Sequence, residues 1–182
     1  MRRLAPLWLI ALVLASCAHA PPPPELPAGR DGATVSLSGR VAVQQAEENF
    51  SGLFQWVSRD GVDDILLSDP LGQGVAKIVR TARETTLQLP DGRKRSAPDA
   101  DALTEKLLGF RLPVGGMSYW IMARPDPDHP HQLTRDEQGR VERIIQDGWK
   151  IDYRSYAGGK PRKLFITRPA LEIKLIVDHW GQ

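Results

Sequence analysis

The sequence predicts a mainly β protein of the α+β class, an antiparallel sheet of about eleven strands with two short helices inserted in its middle. Three observations predict this class. From Thr34 onward, apolar and polar residues alternate with a period of two, which is typical of half-buried strands. Between Asp99 and Ile121 the apolar residues recur at helical spacing instead. After that stretch the alternation returns and continues to Asp178.

The first half of the domain is predicted to be a series of strands joined by short turns. Leu37 and Val41 alternate with polar residues in the first strand, and Phe54 and Trp56 continue the pattern in the second. The segment Pro90-Asp91-Gly92 has the composition of a turn. The strands are predicted, in order, at residues 34–45, 50–56, 65–67, 75–79, 85–89 and 93–96.

A helix is predicted after these strands. Asp99 is suited to cap its start, and Gly109 is suited to end it. Between them Ala100, Leu103 and Leu107 fall on one face. This helix would bury that face against the sheet.

The segment Pro113-Val114-Gly115-Gly116 is predicted to break the chain, and a second short helix follows in which Met117, Trp120 and Ile121 share a face. Asp147-Gly148 is a strong signal for a two-residue hairpin. Strands are predicted again at residues 131–135, 141–146, 149–154, 163–168 and 171–178.

The predicted sheet has one apolar face, and two small helices can cover only part of it. Full closure of the sheet would give a packed barrel. A sheet that stays partly open under the helices would instead enclose an apolar hollow. The residue pattern alone leaves both architectures open.

The amino terminus has the layout of a secretory signal. Arg2 and Arg3 precede an apolar run, residues 4–15, which is shorter than the roughly 20 residues that span a bilayer. The run ends in Leu14-Ala15-Ser16-Cys17, which resembles the lipobox of bacterial lipoproteins. That resemblance implies cleavage after residue 16, an S-diacylglycerol and an N-acyl group on Cys17, and no other cofactor. The alternative is an ordinary signal or anchor helix with an incidental cysteine.

Residues 17–33 are predicted to be a tether between the acylated Cys17 and a single domain at 34–182. This segment contains Pro21-Pro22-Pro23-Pro24, Pro27 and Gly29 and has little apolar bulk. Cys17 is the only cysteine, so no internal disulfide is possible. Ala18, rather than Asp, follows it, and by resemblance to known lipoproteins this favours the periplasmic face of the outer membrane.

The charge of the mature chain is balanced. The sequence has 24 basic and 22 acidic residues, and the signal would remove Arg2 and Arg3, which leaves 22 of each. We therefore expect no nucleic-acid partner and no electrostatic attraction to an anionic membrane. Membrane attachment is expected from lipid and apolar side chains.

Several segments together resemble one family. The most specific is Asp64-Ile-Leu-Leu-Ser-Asp-Pro-Leu-Gly72. Others follow the same order as in the family: Gly39-Arg40-Val41, Phe54-x-Trp56, 97–109, Leu112-Pro113-Val114, Trp120-Ile121, Gly148-Trp149-Lys150 and Asp178-His179-Trp180. With the lipobox, they resemble the LolB family of outer-membrane lipoproteins over nearly all of the mature chain.

The resemblance implies a fold and a function. The fold is an incompletely closed antiparallel β-barrel with a helical lid and an apolar cavity for acyl chains. The function is to accept acylated lipoproteins from a LolA-like periplasmic carrier and to insert them into the outer membrane without a nucleotide. The expected partners are the carrier, the lipoprotein cargo and outer-membrane lipid, and the protein is expected to be a monomer.

The resemblance also places an exposed leucine in a solvent-facing loop, and here that position is Leu71. Pro70 and Gly72 are turn formers, which independently puts Leu71 at a tip. Without a lipid anchor it would be an unremarkable surface residue. The predicted insertion loop is therefore Pro70, Leu71 and Gly72.

Six residues are predicted to line the acyl cavity or its lid: Trp56, Leu103, Leu107, Trp120, Trp149 and Trp180. For these side chains ordinary core packing is the alternative, because aromatic residues dominate many cores.

No catalytic or metal-binding constellation is evident, so the protein is not expected to be an enzyme. The histidines are His19, His129, His131 and His179, and only the pair at 129 and 131 has a spacing that could bind a metal weakly. The main alternative function is an envelope lipoprotein whose packed β-domain binds a protein partner in an assembly. An envelope hydrolase is a weaker one.

Overall fold

The computed structural model describes residues 34–45 and 48–181. The predicted signal (1–16) and the segment from Cys17 to residue 33 lie outside the described residues. The described strands are β1 (Thr34–Gln45), β2 (Glu48–Arg59), β3 (Val62–Ser68), β4 (Gly74–Arg80), β5 (Thr85–Gln88), β6 (Lys94–Ala97), β7 (His131–Arg135), β8 (Val141–Gln146), β9 (Trp149–Ala157), β10 (Lys160–Arg168) and β11 (Leu171–Trp180). The helices are α1 (Ala100–Leu108) and α2 (Val114–Trp120).

The eleven described strands form one antiparallel sheet in the order β6-β5-β4-β3-β2-β1-β11-β10-β9-β8-β7. β1 pairs with both β2 and β11, so the first and last strands lie side by side in the middle of the sheet. β6 and β7 are the two free edges and do not pair with each other. The sheet is therefore open, which confirms the incompletely closed architecture.

Both helices belong to the chain segment that joins the two edge strands. Asp99 caps α1, since its side chain accepts hydrogen bonds from the backbone N–H groups of Asp101 and Ala102. Gly109 ends the helix in the left-handed region with φ 82°. Both ends of α1 were thus predicted correctly.

The predicted chain break at 113–116 is wrong beyond Pro113. Pro113 lies at the start of α2, and Val114, Gly115 and Gly116 form its first turn. A Cβ on Gly116 would lie 2.4 Å from the Trp120 ring. This glycine therefore makes room for a side chain one turn further along the helix, because helical side chains lean toward the preceding turn.

The core lies between the inner face of the sheet and the helices. Alternate residues of every long strand point inward, and the helices add apolar side chains from the opposite side. The fully buried apolar side chains include Ile78, Leu87, Val114, Trp120, Ile144, Ile151, Leu164, Ile166 and Ile173. Among the residues that the structure describes, no helix combines the length and apolar character needed to cross a membrane.

The two ends of the sheet carry different features. The chain enters the sheet at Thr34, which pairs with Arg59 beside the β2–β3 turn. The β3–β4 loop, residues 69–73, follows Ser68, which pairs with Leu53 in the first half of β2. The start of the domain and the Leu71 loop therefore lie toward opposite ends of the sheet.

Candidate lipid-binding site

The space between the sheet and the helices is lined only by apolar side chains. Its free volume is about 20 Å³, little more than the ~10–15 Å³ that one water molecule needs. The interior is thus apolar and almost filled in this conformation. The lining residues are Val41, Val43, Phe50, Phe54, Trp56, Ile65, Leu67, Ile78, Phe110, Leu112, Val114, Met117 and Leu175.

Two parts of the chain build the walls of this interior. The inward-facing residues of β1 to β4 and β11 form one wall, and the segment 110–117 forms the other. Phe50 of β2 stacks on Phe110 with 5.2 Å between ring centroids. The segment 110–117 therefore lies over the interior as a lid.

Trp56 is the one predicted cavity residue that the structure places in this lining. It is buried, and its indole N–H donates to Oδ1 of Asp63 at 3.0 Å. The other five predicted residues lie elsewhere.

Trp120 and Trp149 form a pair, with ring centroids 6.2 Å apart. The Trp120 N–H donates to Oε1 of buried Gln146 at 2.8 Å, and the hydroxyl of Tyr153 donates to the Trp120 carbonyl at 2.6 Å. Both tryptophans border a mixed polar groove of about 440 Å³ between α2 and the β8–β9 hairpin. They fix the base of the lid rather than line the interior.

Leu103 is buried and Leu107 is half-buried on α1, where both pack against the core. Trp180 lies at the end of β11, donates to the carbonyl of Pro161 at 3.1 Å and faces a surface depression that it shares with Trp56. The lining is mostly aliphatic and comes from the strands and the segment 110–117, whereas the predicted residues are four tryptophans and two leucines of α1. The inward parity of β1 to β4 was the signal that could have found it.

A buried carboxylate ties the lid to the sheet. Asp63 of β3 is 2% exposed and faces inward. Its Oδ2 accepts from Nη1 of Arg80 at 3.0 Å and from the hydroxyl of Ser118 in α2 at 2.6 Å, while Oδ1 accepts from Trp56. Three strands and the lid helix thus meet at one side chain, and the Arg80 charge compensates the buried carboxylate.

The β3–β4 loop presents Leu71 to solvent. Leu71 is 86% exposed, more than any other large apolar residue of the described chain. Oδ1 of Asp69 accepts from the backbone N–H groups of Leu71 and Gln73, each at 2.9 Å, and Gly72 adopts a φ of 86°. The loop is therefore a tight, hydrogen-bonded turn of fixed length with an apolar tip.

Among the titratable groups that line the mixed groove, Asp101 and His129 have raised pKa values. Burial, together with the nearby Asp99 charge, raises the pKa of Asp101 in the first turn of α1 to about 6. His129 Nδ1 lies 2.7 Å from Asp147 Oδ2, and this hydrogen bond raises the pKa of His129. Within residues 34–45 and 48–181, no group of three or more His, Cys, Asp or Glu side chains is placed to hold a metal ion.

Solved structures share this fold at low sequence identity. A LolA superfamily protein from Nitrosomonas europaea superposes with a TM-score of 0.53 at 9% identity, covering 81% of this chain and 85% of its own. A DUF1329 family protein from Desulfovibrio piger superposes with a TM-score of 0.56 at 9% identity, covering 82% and 85%. These likenesses show the fold.

Sequence comparison gives the family. The model of the family "Outer membrane lipoprotein LolB" matches residues 34–180. The "Outer-membrane lipoprotein LolB" of Thiobacillus denitrificans is 46% identical over 99% of this chain and 98% of its own length. That of Cupriavidus pinatubonensis is 35% identical over 97% and 94%. On these matches, which span every strand and helix described above, the chain belongs to the LolB family of outer-membrane lipoproteins.

Proposed function

We propose that this protein is a lipoprotein receptor of the outer membrane. Anchored through acylated Cys17 on the periplasmic face, it accepts acylated lipoproteins from a LolA-like carrier and passes them to the membrane, as a monomer and without a catalytic step. Family membership supports this role. The structural observation that carries it is the wholly apolar interior under a lid that is not part of the sheet.

The energetics explain why such a protein needs an apolar interior. Burial of an acyl chain is worth ~0.8 kcal/mol per methylene, so chains that cross water singly meet a large barrier. Passage from one apolar cavity to another avoids that barrier, and the difference between the two cavities sets the direction. Burial of the acyl chains in the bilayer is more favourable still, so the last step proceeds without a nucleotide.

Acyl chains require more room than the interior now offers, so the lid must move. The segment 110–117 is the part that can move, because it joins the sheet only through side chains. The backbone N–H of Arg111 donates to Oε1 of Gln45 at 3.1 Å, and Ser118, the residue that follows the segment in α2, donates to Asp63. When this segment moves away from the sheet, the apolar wall formed by β1, β2, β3 and β4 becomes accessible along its length.

Leu71 serves the second step, insertion. Its loop is closed by two hydrogen bonds to Asp69, follows the end of β3, and exposes a single large apolar side chain. A side chain of this kind can enter the boundary between headgroups and acyl chains while the polar turn stays in water. The lid thus handles uptake, and the Leu71 loop handles release.

A transfer assay tests the function. The acylated protein is reconstituted in vesicles, a carrier loaded with a lipoprotein is added, and vesicle-bound lipoprotein is measured after flotation. Vesicles that contain the protein should acquire cargo faster than vesicles that contain an unrelated lipoprotein. Equal rates would reject the proposal.

One observation favours the alternative function, an assembly lipoprotein that binds a protein partner. An interior with about 20 Å³ of free volume is what a permanently packed domain would have. Uptake of an apolar fluorescent probe separates the two functions. A lid that opens admits the probe, with saturation at one or a few sites per molecule, whereas a packed domain leaves its fluorescence unchanged.

A further inference from the structure

We propose that the outer face of the C-terminal half of the sheet docks on the anionic headgroups of a lipid surface. The surface in question is a cluster of six cations on β1 and β8 to β11, here called the cationic face: Arg40, Arg143, Lys150, Arg154, Lys163 and Lys174. The proposal rests on the proposed function only in that the anchored chain lies beside a membrane, and it does not depend on lipoprotein transfer.

Strand register brings these cations together. On the outer face, Phe165 of β10 lies between Asp152 of β9 and Lys174 of β11. In the next outward row Lys163 pairs with Ile176, which pairs with Arg40. Residues far apart in the chain thus become neighbours on one continuous surface.

The carboxylates on this face are outnumbered. Asp152 is buried beneath three cations, with Arg143 Nε at 2.6 Å, Arg154 Nη2 at 3.5 Å and Lys150 Nζ at 3.6 Å. One carboxylate cannot neutralise three cations. Two more carboxylates lie on this face: Asp178 accepts from Nε and Nη2 of Arg40 at 2.9 Å, and Glu172 has the outward parity of Lys174 on β11. Six cations therefore face three carboxylates, and the face keeps a net positive charge. Lys163 and Lys174 form no ion pair with a carboxylate of the described residues. Their ammonium groups lie 5.5 and 5.4 Å from the centroid of the Phe165 ring.

The face also carries the apolar groups that a membrane interface favours. Phe165 is surrounded by cations, since the guanidinium of Arg154 also lies 5.6 Å from its centroid. Ile145 and Leu53, which are 41% and 39% exposed, lie at opposite corners of the same outer surface. Long cationic side chains around an aromatic ring can place their charges among phosphates while their stems contact apolar lipid.

This combination favours lipid over an acidic protein as the occupant. Three long cations, Arg154, Lys163 and Lys174, lie around the Phe165 ring. The two lysines form no ion pair with a carboxylate of the described residues, so their charges are available to a layer of phosphates. The relatives are outer-membrane lipoproteins by name, so a chain of this family works next to lipid at all times. Although the mature chain has a formal charge of zero, its charge is therefore unevenly distributed over its surface.

Lysine labelling of the acylated full-length protein in vesicles tests the proposal. A water-soluble acetylating reagent is applied to protein in phosphatidylcholine vesicles, with or without phosphatidylglycerol, and the rate at each lysine is read by mass spectrometry. Lys150, Lys163 and Lys174 should label several-fold more slowly in the anionic vesicles, and high salt should restore the rate. Lys94 on β6 and Lys106 on α1 are internal controls whose rates should not change.

Three outcomes would overturn the proposal. Equal labelling in both vesicle types would show no docking. Equal protection in both types would assign the face to a contact that does not depend on charge. Protection that appears only when the carrier protein is added would assign it to an acidic protein partner. As a matched variant pair, Lys163→Glu with Lys174→Glu should abolish the protection of Lys150, whereas Lys94→Glu with Lys106→Glu should leave it intact.

Discussion

The hydroxyl of Ser118 donates to Oδ2 of Asp63 at 2.6 Å, and this contact joins the lid helix to the buried side of the sheet. The carbonyl of Val114 lies 3.0 Å from the same hydroxyl, but one proton serves one short bond, and the carboxylate is the closer acceptor. The lid is therefore held at a charged group that Arg80 and Trp56 also need.

Replacement of Ser118 by Ala should loosen the lid. We expect a loss of about 1.5–3 kcal/mol in the free energy of unfolding, the usual worth of a hydrogen bond to a charged group, and faster uptake of an apolar fluorescent probe measured by stopped flow. Ser96→Ala is the matched control, because it removes the Thr86–Ser96 hydroxyl contact at 2.7 Å on the edge of the sheet. Equal probe kinetics in the two variants would show that Ser118 does not govern the lid.

Replacement of Asp63 by Ala should lower the free energy of unfolding further, by about 3–5 kcal/mol, because it leaves the Arg80 charge without its partner. Urea unfolding of the two variants measures the difference.

Replacement of Leu71 by Glu should separate uptake from insertion. The side chain is exposed and contributes little to folding, but a charge at the tip opposes entry into lipid. We expect normal transfer of lipoprotein from the carrier to the protein and a strongly reduced appearance of cargo in vesicles. Val62→Glu changes an exposed apolar residue at the other end of β3 and should behave like wild type. Insertion by Leu71→Glu at the wild-type rate would remove Leu71 from the mechanism.

Replacement of Asp69 by Ala should show whether Leu71 must be held rigidly. The variant loses the two backbone bonds that fix the tip, and we expect slower insertion in the same vesicle assay. Asp136→Ala removes equivalent bonds to Gln138 and Arg140 in the β7–β8 turn, so it is a matched control for stability. Asp69→Asn keeps an acceptor and should restore the rate; failure of Asn to do so would point to charge instead.

The neighbouring glycines of α2 should respond in opposite ways to alanine. At Gly115 a new Cβ would meet only the Arg80 side chain at 3.8 Å, so Gly115→Ala should stabilise the protein by up to about 1 kcal/mol through helix propensity. At Gly116 the Cβ would collide with Trp120, so Gly116→Ala should destabilise it by about 1–3 kcal/mol and shift Trp120 fluorescence. Urea unfolding measures both, and equal effects would contradict the packing seen at Trp120.

Asp101 should make the stability depend on pH. Its pKa is raised from 3.8 to about 6 in the folded state, so the folded protein holds this proton more tightly than the unfolded chain. The contribution is favourable at low pH, and the free energy of unfolding falls as pH rises from about 4 to about 6. Asp101→Asn should remove that fall. The test is to measure the free energy of unfolding of wild type and of Asp101→Asn at each pH. A difference between the two proteins that does not change with pH would show that Asp101 does not titrate in this range.

The elements with local signals could be predicted, and those that depend on register could not. Asp99 and Gly109 bounded α1 because caps are local chemistry, and the alternation marked the long strands. The cavity lining was mostly missed because it depends on which strands lie opposite the segment 110–117. The cationic face was missed because a net charge of zero says nothing about which side of a sheet Lys163 and Lys174 occupy.

Asp63 shows a signal that was present but unused. It has the same parity as Ile65 and Leu67, so alternation alone places a carboxylate among inward-facing residues. A charged residue on the inner side of a strand requires partners, and those partners could have been sought. Its connection to Ser118 joins positions 55 residues apart, which no local pattern reports.

The opposite placement of Thr34 and the Leu71 loop limits how the domain can be oriented. If one membrane both holds Cys17 and receives Leu71, the segment 17–33 has to cover the distance from Thr34 to the loop tip. Register places Ser68 level with Arg40, six residues along β1 from Thr34, which is about 20 Å, and Leu71 lies three residues beyond, at most about 10 Å more. Seventeen extended residues reach at most about 56–61 Å. Both contacts can therefore form at once with roughly eight residues to spare, and longer deletions in this segment would progressively lift Leu71 away from the bilayer.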